Sequence, residues 1–151
     1  MSINESLVGR TYPAAESFVV GRESVRDFAQ AVKATNPAHT DLEAARALGH
    51  ADLVAPPTYA IIPAQRAEAR MVLDPESGID YSRVVHAEQS FELERPIVAG
   101  DELFAELVVD SVRVMGAGAM VTTKAHLTDA SGAKVGVTTS SILVRAEEAG
   151  A

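Results

Sequence analysis

The stretch "VAPPTYAIIPAQRAEARMVL", residues 54–73, decides the fold of this chain. Its later part places small and apolar residues at helical spacing, namely Ala60, Ala64, Ala67 and Met71. This pattern predicts a largely apolar helix, which we expect to be central and buried. Pro57 suits a first helical turn because its missing N–H would have no partner inside the helix. Pro63 is expected to kink the helix near its start.

Downstream of this helix, from residue 84, the apolar period changes to two, which is typical of strands. In the first strand, Val85, Ala87, Phe91 and Leu93 alternate with polar residues. Three more alternating segments cover 102–112, 119–128 and 134–145. Asp129 and Gly132 fit the first and fourth positions of a type I turn, so the last two strands should form a hairpin. Gly116 and Gly118 mark a similar break before them.

One long apolar helix followed by four antiparallel strands predicts an α+β protein in which the sheet wraps around the helix. An edge strand and one face of the helix would then lack a neighbour within the chain. We therefore expect a dimer.

Two shorter helices are predicted upstream. Val25, Phe28 and Val32 form an apolar stripe, and Ser24 with Asp27 resembles a capping box. The second helix has Thr40 and Glu43 at capping-box spacing and is followed by Gly49 as a stop signal. His39 therefore lies at the entrance of a capped helix.

The composition indicates one globular domain, residues 1–151, with AEEAGA (146–151) as a disordered tail. Hydrophobic residues make up 47% of the chain. The absence of cysteine excludes thiolate ligands, and the four histidines show no metal-ligand spacing. We expect neither a metal nor a cofactor.

A net charge of −8 with scattered basic residues argues against nucleic-acid binding. No apolar run approaches the roughly 20 residues of a membrane span, so we expect a cytoplasmic protein that is not bound to a membrane.

Several segments together resemble the MaoC-like dehydratase family of hotdog-fold proteins. "RPIVAGDEL" (95–103) resembles the family's Pro-x-x-x-Gly-Asp turn between two strands, and "NPAH" (36–39) resembles its Asp-x-Asn-Pro-x-His segment. "LGHADLVAPPTYA" (48–60) resembles the run into the central helix. The resemblance extends from about Val8 to Arg145 and is nearest to the actinobacterial substrate-binding subunits of (3R)-hydroxyacyl-ACP dehydratases.

This resemblance implies a reaction and a set of site residues. In the family, an Asp/His pair removes water from a (3R)-hydroxyacyl thioester, and a backbone N–H at the helix entrance holds the thioester oxygen. His39 matches the histidine, with Asn36 in support, and we expect substrate contacts at Thr58, Tyr59 and Ile62. The family aspartate, however, falls at Ala34, which has no ionisable group.

The helix entrance also departs from the family pattern. Catalytic relatives carry a His-Gly pair where this chain has Pro56 and Pro57. Proline has no N–H to donate, so the usual oxyanion contact from that position is lost.

Three hypotheses follow. The preferred one is a dehydratase or enoyl-hydratase subunit that binds an acyl-CoA or acyl-ACP thioester, while a catalytic hotdog partner supplies the Asp/His pair. Such a chain would be a homodimer or a heterodimer and inactive alone. The second is an autonomous hydratase or thioesterase that uses His39. The third is a non-catalytic acyl-CoA-binding module.

Other residues leave two interpretations open. His86 and Glu88 resemble a family motif but would also suit a solvated strand face. Arg66 and Arg70 stand one helical turn apart and would either meet the phosphates of a pantetheine carrier or lie on the helix surface, paired with Glu68 or with solvent. The alanines at 60, 64 and 67 either leave a tunnel for an acyl chain or pack the core.

Overall fold

A computed structural model describes residues 3–148. It contains three α-helices: α1 (Arg22–Ala31), α2 (Leu42–Ala47) and α3 (Ile61–Val72). Its six strands are β1 (Thr11–Tyr12), β2 (Phe18–Val19), β3 (Val84–Leu93), β4 (Glu102–Met115), β5 (Gly118–Asp129) and β6 (Lys134–Arg145). Residues 149–151 of the expected C-terminal tail lie outside the described residues.

The strands form one antiparallel sheet in the order β1-β4-β5-β6-β3, and β2 also pairs with β4. The four long strands confirm the predicted sheet, and both predicted hairpins are present. At the second hairpin, the Asp129 side chain accepts hydrogen bonds from the N–H groups of Ser131 and Ala133. The two-residue strands β1 and β2 were not predicted, because they are too short to show a period of two.

The sheet wraps around α3, which packs against β4 and β5. Ala64, Ala67 and Met71 are buried against apolar side chains of the three inner strands, namely Leu107, Val109, Val121, Ala125 and Ile142. Ala60 is buried as well. These small side chains allow close contact between helix and sheet, which favours the core-packing interpretation of the alanines.

Two expectations about helix starts are wrong. Helix α3 begins at Ile61, so Pro57 lies before it and Pro63 is its third residue. An N–H at that position has no partner inside a helix, so Pro63 interrupts no helical hydrogen bond.

The N-caps also differ from the predicted capping boxes. Gly21 is the N-cap of α1, without a side-chain hydrogen bond. Asp41, and not Thr40, caps α2 by accepting from the N–H groups of Glu43 and Ala44. Gly49 follows α2 with a φ of +90°, as its predicted role as a stop requires.

In β3, the alternation of side chains between the two sheet faces is interrupted by a bulge. The pairing of β3 with β6 shifts register between His86 and Glu88, so Ala87 is a bulge. His86 is aligned with Ile142, which is buried under α3, whereas Val85 is 46% exposed. The prediction that Val85 lies on the inner face and His86 on the outer face is therefore wrong. An extra residue in one strand moves every side chain before it to the other face.

Among residues 3–148, no helix is long and apolar enough to cross a membrane. The same residues contain no group of histidine, aspartate or glutamate side chains arranged to hold a metal ion.

Candidate functional site

His39 is held in a short 3₁₀ turn, Pro37–His39. The side chain of Asn36 caps this turn, since its Oδ1 accepts a hydrogen bond from the Ala38 N–H at 3.0 Å. The His39 N–H donates to the Asn36 carbonyl at 3.1 Å. Only 8% of His39 is exposed. These hydrogen bonds give Asn36 a role in local structure, while its expected supporting role at the site stays a prediction.

The imidazole of His39 makes one side-chain hydrogen bond within the described residues. Nδ1 lies 2.6 Å from the carbonyl oxygen of Val54. Because a carbonyl only accepts, Nδ1 carries the proton, and Nε2 of a neutral ring has a free lone pair. No carboxylate between residues 3 and 148 is hydrogen-bonded or ion-paired to this ring. Ala34, at the position of the family aspartate, has only a methyl group.

Backbone hydrogen bonds fix the segment that holds this carbonyl. The Val54 N–H donates to the Ala38 carbonyl, and the Ala55 N–H donates to Ile97. The Ala99 N–H returns a hydrogen bond to Leu53. Three chain segments that are distant in sequence therefore meet at His39.

The turn between β3 and β4 is closed by a two-pronged ion pair. Nη1 and Nη2 of Arg95 donate to Oδ2 and Oδ1 of Asp101, at 2.7 and 3.0 Å. Asp101 Oδ2 also accepts from the Val98 N–H at 2.9 Å. Gly100 has a φ of +94°, a conformation that glycine adopts without strain. The Pro-x-x-x-Gly-Asp pattern therefore positions residues 97–99 against the His39 segment.

The entrance of α3 offers few free backbone donors. Pro56 and Pro57 have no N–H. The N–H groups of Tyr59, Ile61 and Ile62 already donate to nearby carbonyls, those of Pro56, Thr58 and Tyr59. Along 56–62, only Thr58 and Ala60 have N–H groups that reach no backbone carbonyl in the described part of the chain. The two prolines thus remove the donors that the resemblance places at this entrance.

The three residues expected to bind substrate lie in different environments. Thr58 is exposed, Ile62 is half-buried, and Tyr59 is completely buried. The Tyr59 hydroxyl lies 2.7 Å from Ser24 Oγ, and its ring packs edge-on against Phe28 with centroids 5.4 Å apart. Burial raises the pKa of the Tyr59 phenol, against the lowering effect of the Ser24 hydrogen bond. Their contact with substrate stays a prediction.

A second polar group, which the sequence did not indicate, lies between α3 and the sheet. Glu68 is only 8% exposed, and its Oε1 accepts a hydrogen bond from Ser140 Oγ at 3.3 Å. Ser140 is aligned with Gln89 on β3 and with Thr123 on β5. Gln89 Oε1 and Thr123 Oγ1 are buried and make no hydrogen bond in the structure. One of the interpretations left open, a surface pairing of Glu68 with Arg66 or Arg70, is therefore wrong.

Glu68 also lines an open cleft of about 680 Å³ between the C-terminal half of α3 and the start of β3. His86 lines the same cleft, and its walls are mainly apolar, with Val72, Val84 and Ile142 among them. Burial raises the pKa of the Glu68 carboxyl, while the Ser140 hydrogen bond and the charge of His86 lower it by less. An apolar cleft with a few polar groups is the usual form of a site for a small ligand.

The remaining histidines have simpler surroundings. His126 is half-buried on β5 and aligned with the exposed Glu106 on β4. His50 follows α2, and its N–H donates to the Ala45 carbonyl. His86, in contrast, shares a cleft with the buried carboxyl of Glu68.

Replacing Asn36 with alanine is expected to lower the free energy of unfolding by about 1 kcal/mol, the usual effect of losing a capping side chain. Chemical denaturation of the purified protein measures this change. Asn36→Asp keeps an oxygen that accepts from the Ala38 N–H, so it should stay within about 0.5 kcal/mol of the wild type. Equal stability of all three proteins would show that the cap does not hold the His39 turn.

Comparison with known proteins shows to which family this chain is similar. Residues 6–138 match the family model described as "FAS1-like, dehydratase domain region". A UPF0336 protein of Clavibacter michiganensis is 50% identical over 149 residues, which are 99% of this chain and 100% of that protein.

Two solved structures are similar in both sequence and fold. The C-terminally truncated HadBC (3R)-hydroxyacyl-ACP dehydratase complex of Mycobacterium tuberculosis has a chain that is 32% identical, with a TM-score of 0.83 and coverage of 91% of this chain and 96% of that one. A MaoC-like dehydratase is 35% identical, with a TM-score of 0.85 and coverage of 93% and 43%. These similarities confirm the hotdog fold. The chain belongs to the FAS1-like dehydratase-region family, together with the UPF0336 proteins.

Proposed function

We propose that this chain is the substrate-binding subunit of a (3R)-hydroxyacyl-thioester dehydratase, active in fatty-acid metabolism with a catalytic hotdog partner. The observation that carries the proposal is the environment of His39. Its Nδ1 is hydrogen-bonded to the Val54 carbonyl, no carboxylate of the described residues is hydrogen-bonded or ion-paired to the ring, and Ala34 occupies the aspartate position. General acid–base chemistry needs both groups within reach of the substrate.

The shortage of backbone donors at the α3 entrance supports the same proposal. Loss of one oxyanion donor typically lowers a rate by about 10²–10³-fold. Here two prolines replace the pair that carries the donor in catalytic relatives, and three of the next N–H groups are occupied. The described part of the chain therefore offers no carboxylate partner for His39, and at the helix entrance only the Thr58 and Ala60 N–H groups reach no backbone carbonyl.

The shape of the sheet supports association with a partner. Strand β3 is an edge strand of ten residues, and it pairs on one side only, with β6. Exposed apolar side chains accompany it, including Leu73 at 75%, Tyr81 at 74% and Val85 at 46%. A long unpaired edge of this kind is normally covered. The similar chain from M. tuberculosis was solved within a HadBC complex.

The test is enoyl-thioester hydration, measured with short-chain and long-chain enoyl-CoA for the isolated chain, for a candidate partner, and for both together. The candidate is a hotdog protein with an intact Asp-x-x-x-x-His segment, sought first in a neighbouring reading frame. We expect little hydration by the isolated chain and a rate well above the sum of the parts for the mixture.

His39→Ala separates the alternatives in the same assay. In the mixture, this variant should stay within about twofold of the wild-type rate, because the partner performs the acid–base steps. Turnover by the isolated chain that is lost in His39→Ala would overturn the proposal in favour of an autonomous enzyme. Saturable acyl-CoA binding without turnover in any mixture would favour a non-catalytic binding module.

A further inference from the structure

The exposed side of α3 carries a basic pocket that the proposed function has not used. Arg66 and Arg70, one helical turn apart, line a pocket of about 240 Å³ together with residues of the segment before β2. Its other lining residues include Glu16, Ser17 and Phe18. A volume of this size equals that of about eight water molecules in the liquid, so it admits a phosphate group.

Both arginine side chains are held in place by contacts that are not ion pairs. Arg66 Cζ lies 4.9 Å from the centroid of the Phe18 ring. Arg70 Nη2 donates to the Tyr12 carbonyl at 2.8 Å. A guanidinium stacked on a ring or tied to a carbonyl keeps most of its five N–H donors available.

Acidic residues outnumber basic residues in this chain, so carboxylate partners for arginine are abundant. The sequence has 21 acidic and 13 basic residues, and most other arginines of the described region contact a carboxylate. Neither Arg66 nor Arg70 forms an ion pair with any carboxylate of residues 3–148. With Glu16 as the one acidic lining residue, the pocket has a formal charge of +1.

The pocket is also connected to the entrance of α3. Pro63, in the first turn of the helix, lines it. Phe18, under Arg66, packs against Tyr59 with ring centroids 6.1 Å apart. A group bound by the arginines would therefore lie beside the helix entrance, where we expect the thioester.

We propose that Arg66 and Arg70 bind a phosphate ester of the thiol carrier that delivers the acyl group. This inference rests on the proposed function and adds the recognition of the carrier. Planar guanidinium groups form paired hydrogen bonds with phosphate oxygens, which neutral donors do not match in strength. Coenzyme A and the phosphopantetheine arm of an acyl carrier protein both contain a phosphate ester, and the experiment distinguishes these two sources.

Binding is measured by calorimetry at one ionic strength for four octanoyl thioesters, those of coenzyme A, dephospho-coenzyme A, 4′-phosphopantetheine and pantetheine. We expect Arg66→Gln/Arg70→Gln to weaken binding of octanoyl-CoA at least about tenfold, since hydrogen bonds to charged groups are the stronger class. Octanoyl-pantetheine, without phosphate, should bind the wild type and the variant equally.

The two phosphate sources give different results. If the variant weakens octanoyl-CoA but not octanoyl-dephospho-CoA, the pocket binds the 3′-phosphate of coenzyme A. If octanoyl-4′-phosphopantetheine is weakened as well, it binds the phosphate that coenzyme A shares with an acyl carrier protein. Either result supports the proposal.

Arg113→Gln is the matched control, because Arg113 is exposed on β4 and is not part of the pocket. An equal loss in this control would overturn the proposal, as would equal binding of octanoyl-CoA by wild type and double variant. The proposed function stands in both cases if octanoyl-pantetheine binds. Failure of every thioester to bind would overturn both the carrier proposal and the proposed function.

If the double variant does not fold, the single variant Arg66→Gln replaces it in the same measurements, since this exposed side chain makes no hydrogen bond within the described residues.

Discussion

Replacing Tyr59 with alanine is expected to lower the free energy of unfolding by about 3–5 kcal/mol, the range for removing a large buried aromatic side chain. Tyr59 is completely buried, lies between the rings of Phe18 and Phe28, and contacts Ser24 through its hydroxyl. It therefore joins α1 and β2 to the entrance of α3. Thermal and chemical denaturation measure the loss, which should lower the Tm by roughly 10 °C.

Two further variants show which part of the side chain is responsible. Tyr59→Phe keeps the ring and removes only the hydrogen bond to Ser24, so the expected loss is about 1 kcal/mol. Tyr81→Ala is the same chemical change at a residue that is 74% exposed, and it should stay within about 0.5 kcal/mol of the wild type. A loss below about 1 kcal/mol for Tyr59→Ala would contradict a packing role for this ring.

Tyr59 also shows how far sequence reasoning reached at the candidate site. The spacing of apolar residues predicted α3, the four long strands and both hairpins, because these features depend on local periodicity and turn chemistry. Whether Tyr59 faces substrate or core depends on Phe28 and Ser24, more than 30 residues earlier in the chain, and local periodicity contains no information on such contacts.

The bulge at Ala87 had the largest effect on the predicted site. A strict period of two placed His86 on the outer face, whereas one extra residue in β3 brings it to the cleft that Glu68 lines. Similarly, Glu68 stands between Arg66 and Arg70 in sequence and suggested a charged helix surface. The helical pattern that indicates its burial is weak, because Ala64 and Ala67 on the same face have small side chains.

Replacing Glu68 with glutamine is expected to raise the free energy of unfolding at neutral pH by about 1–3 kcal/mol, the usual penalty for an incompletely paired buried group. Glutamine keeps an oxygen that accepts from Ser140 Oγ and removes the buried negative charge. Two other buried oxygens close by, on Gln89 and Thr123, make no hydrogen bond in the structure and do nothing to neutralise that charge.

The effect should depend on pH in a direction fixed by linkage. Burial raises the pKa of Glu68 above its ordinary value of 4.5, so the folded protein binds this proton more tightly than the unfolded chain. The stability that Glu68 contributes is therefore fully present below pH 4.5 and is lost as the pH rises through the raised pKa. Unfolding free energies of wild type and Glu68→Gln, measured by urea denaturation from pH 4 to pH 8, should nearly coincide at the acid end and separate as the pH rises.

The difference between the two proteins isolates this carboxyl from the others. Asp52, Asp74, Asp80 and Asp129 have lowered pKa values, caused mainly by hydrogen bonds, and act in the opposite direction. Their contribution is the same in both proteins and cancels in the difference. Glu92→Gln, on an exposed position of β3, should show no such separation. The difference in unfolding free energy between Glu68→Gln and wild type could also stay constant from pH 4 to pH 8. That result would contradict a raised pKa of the Glu68 carboxyl in the folded protein.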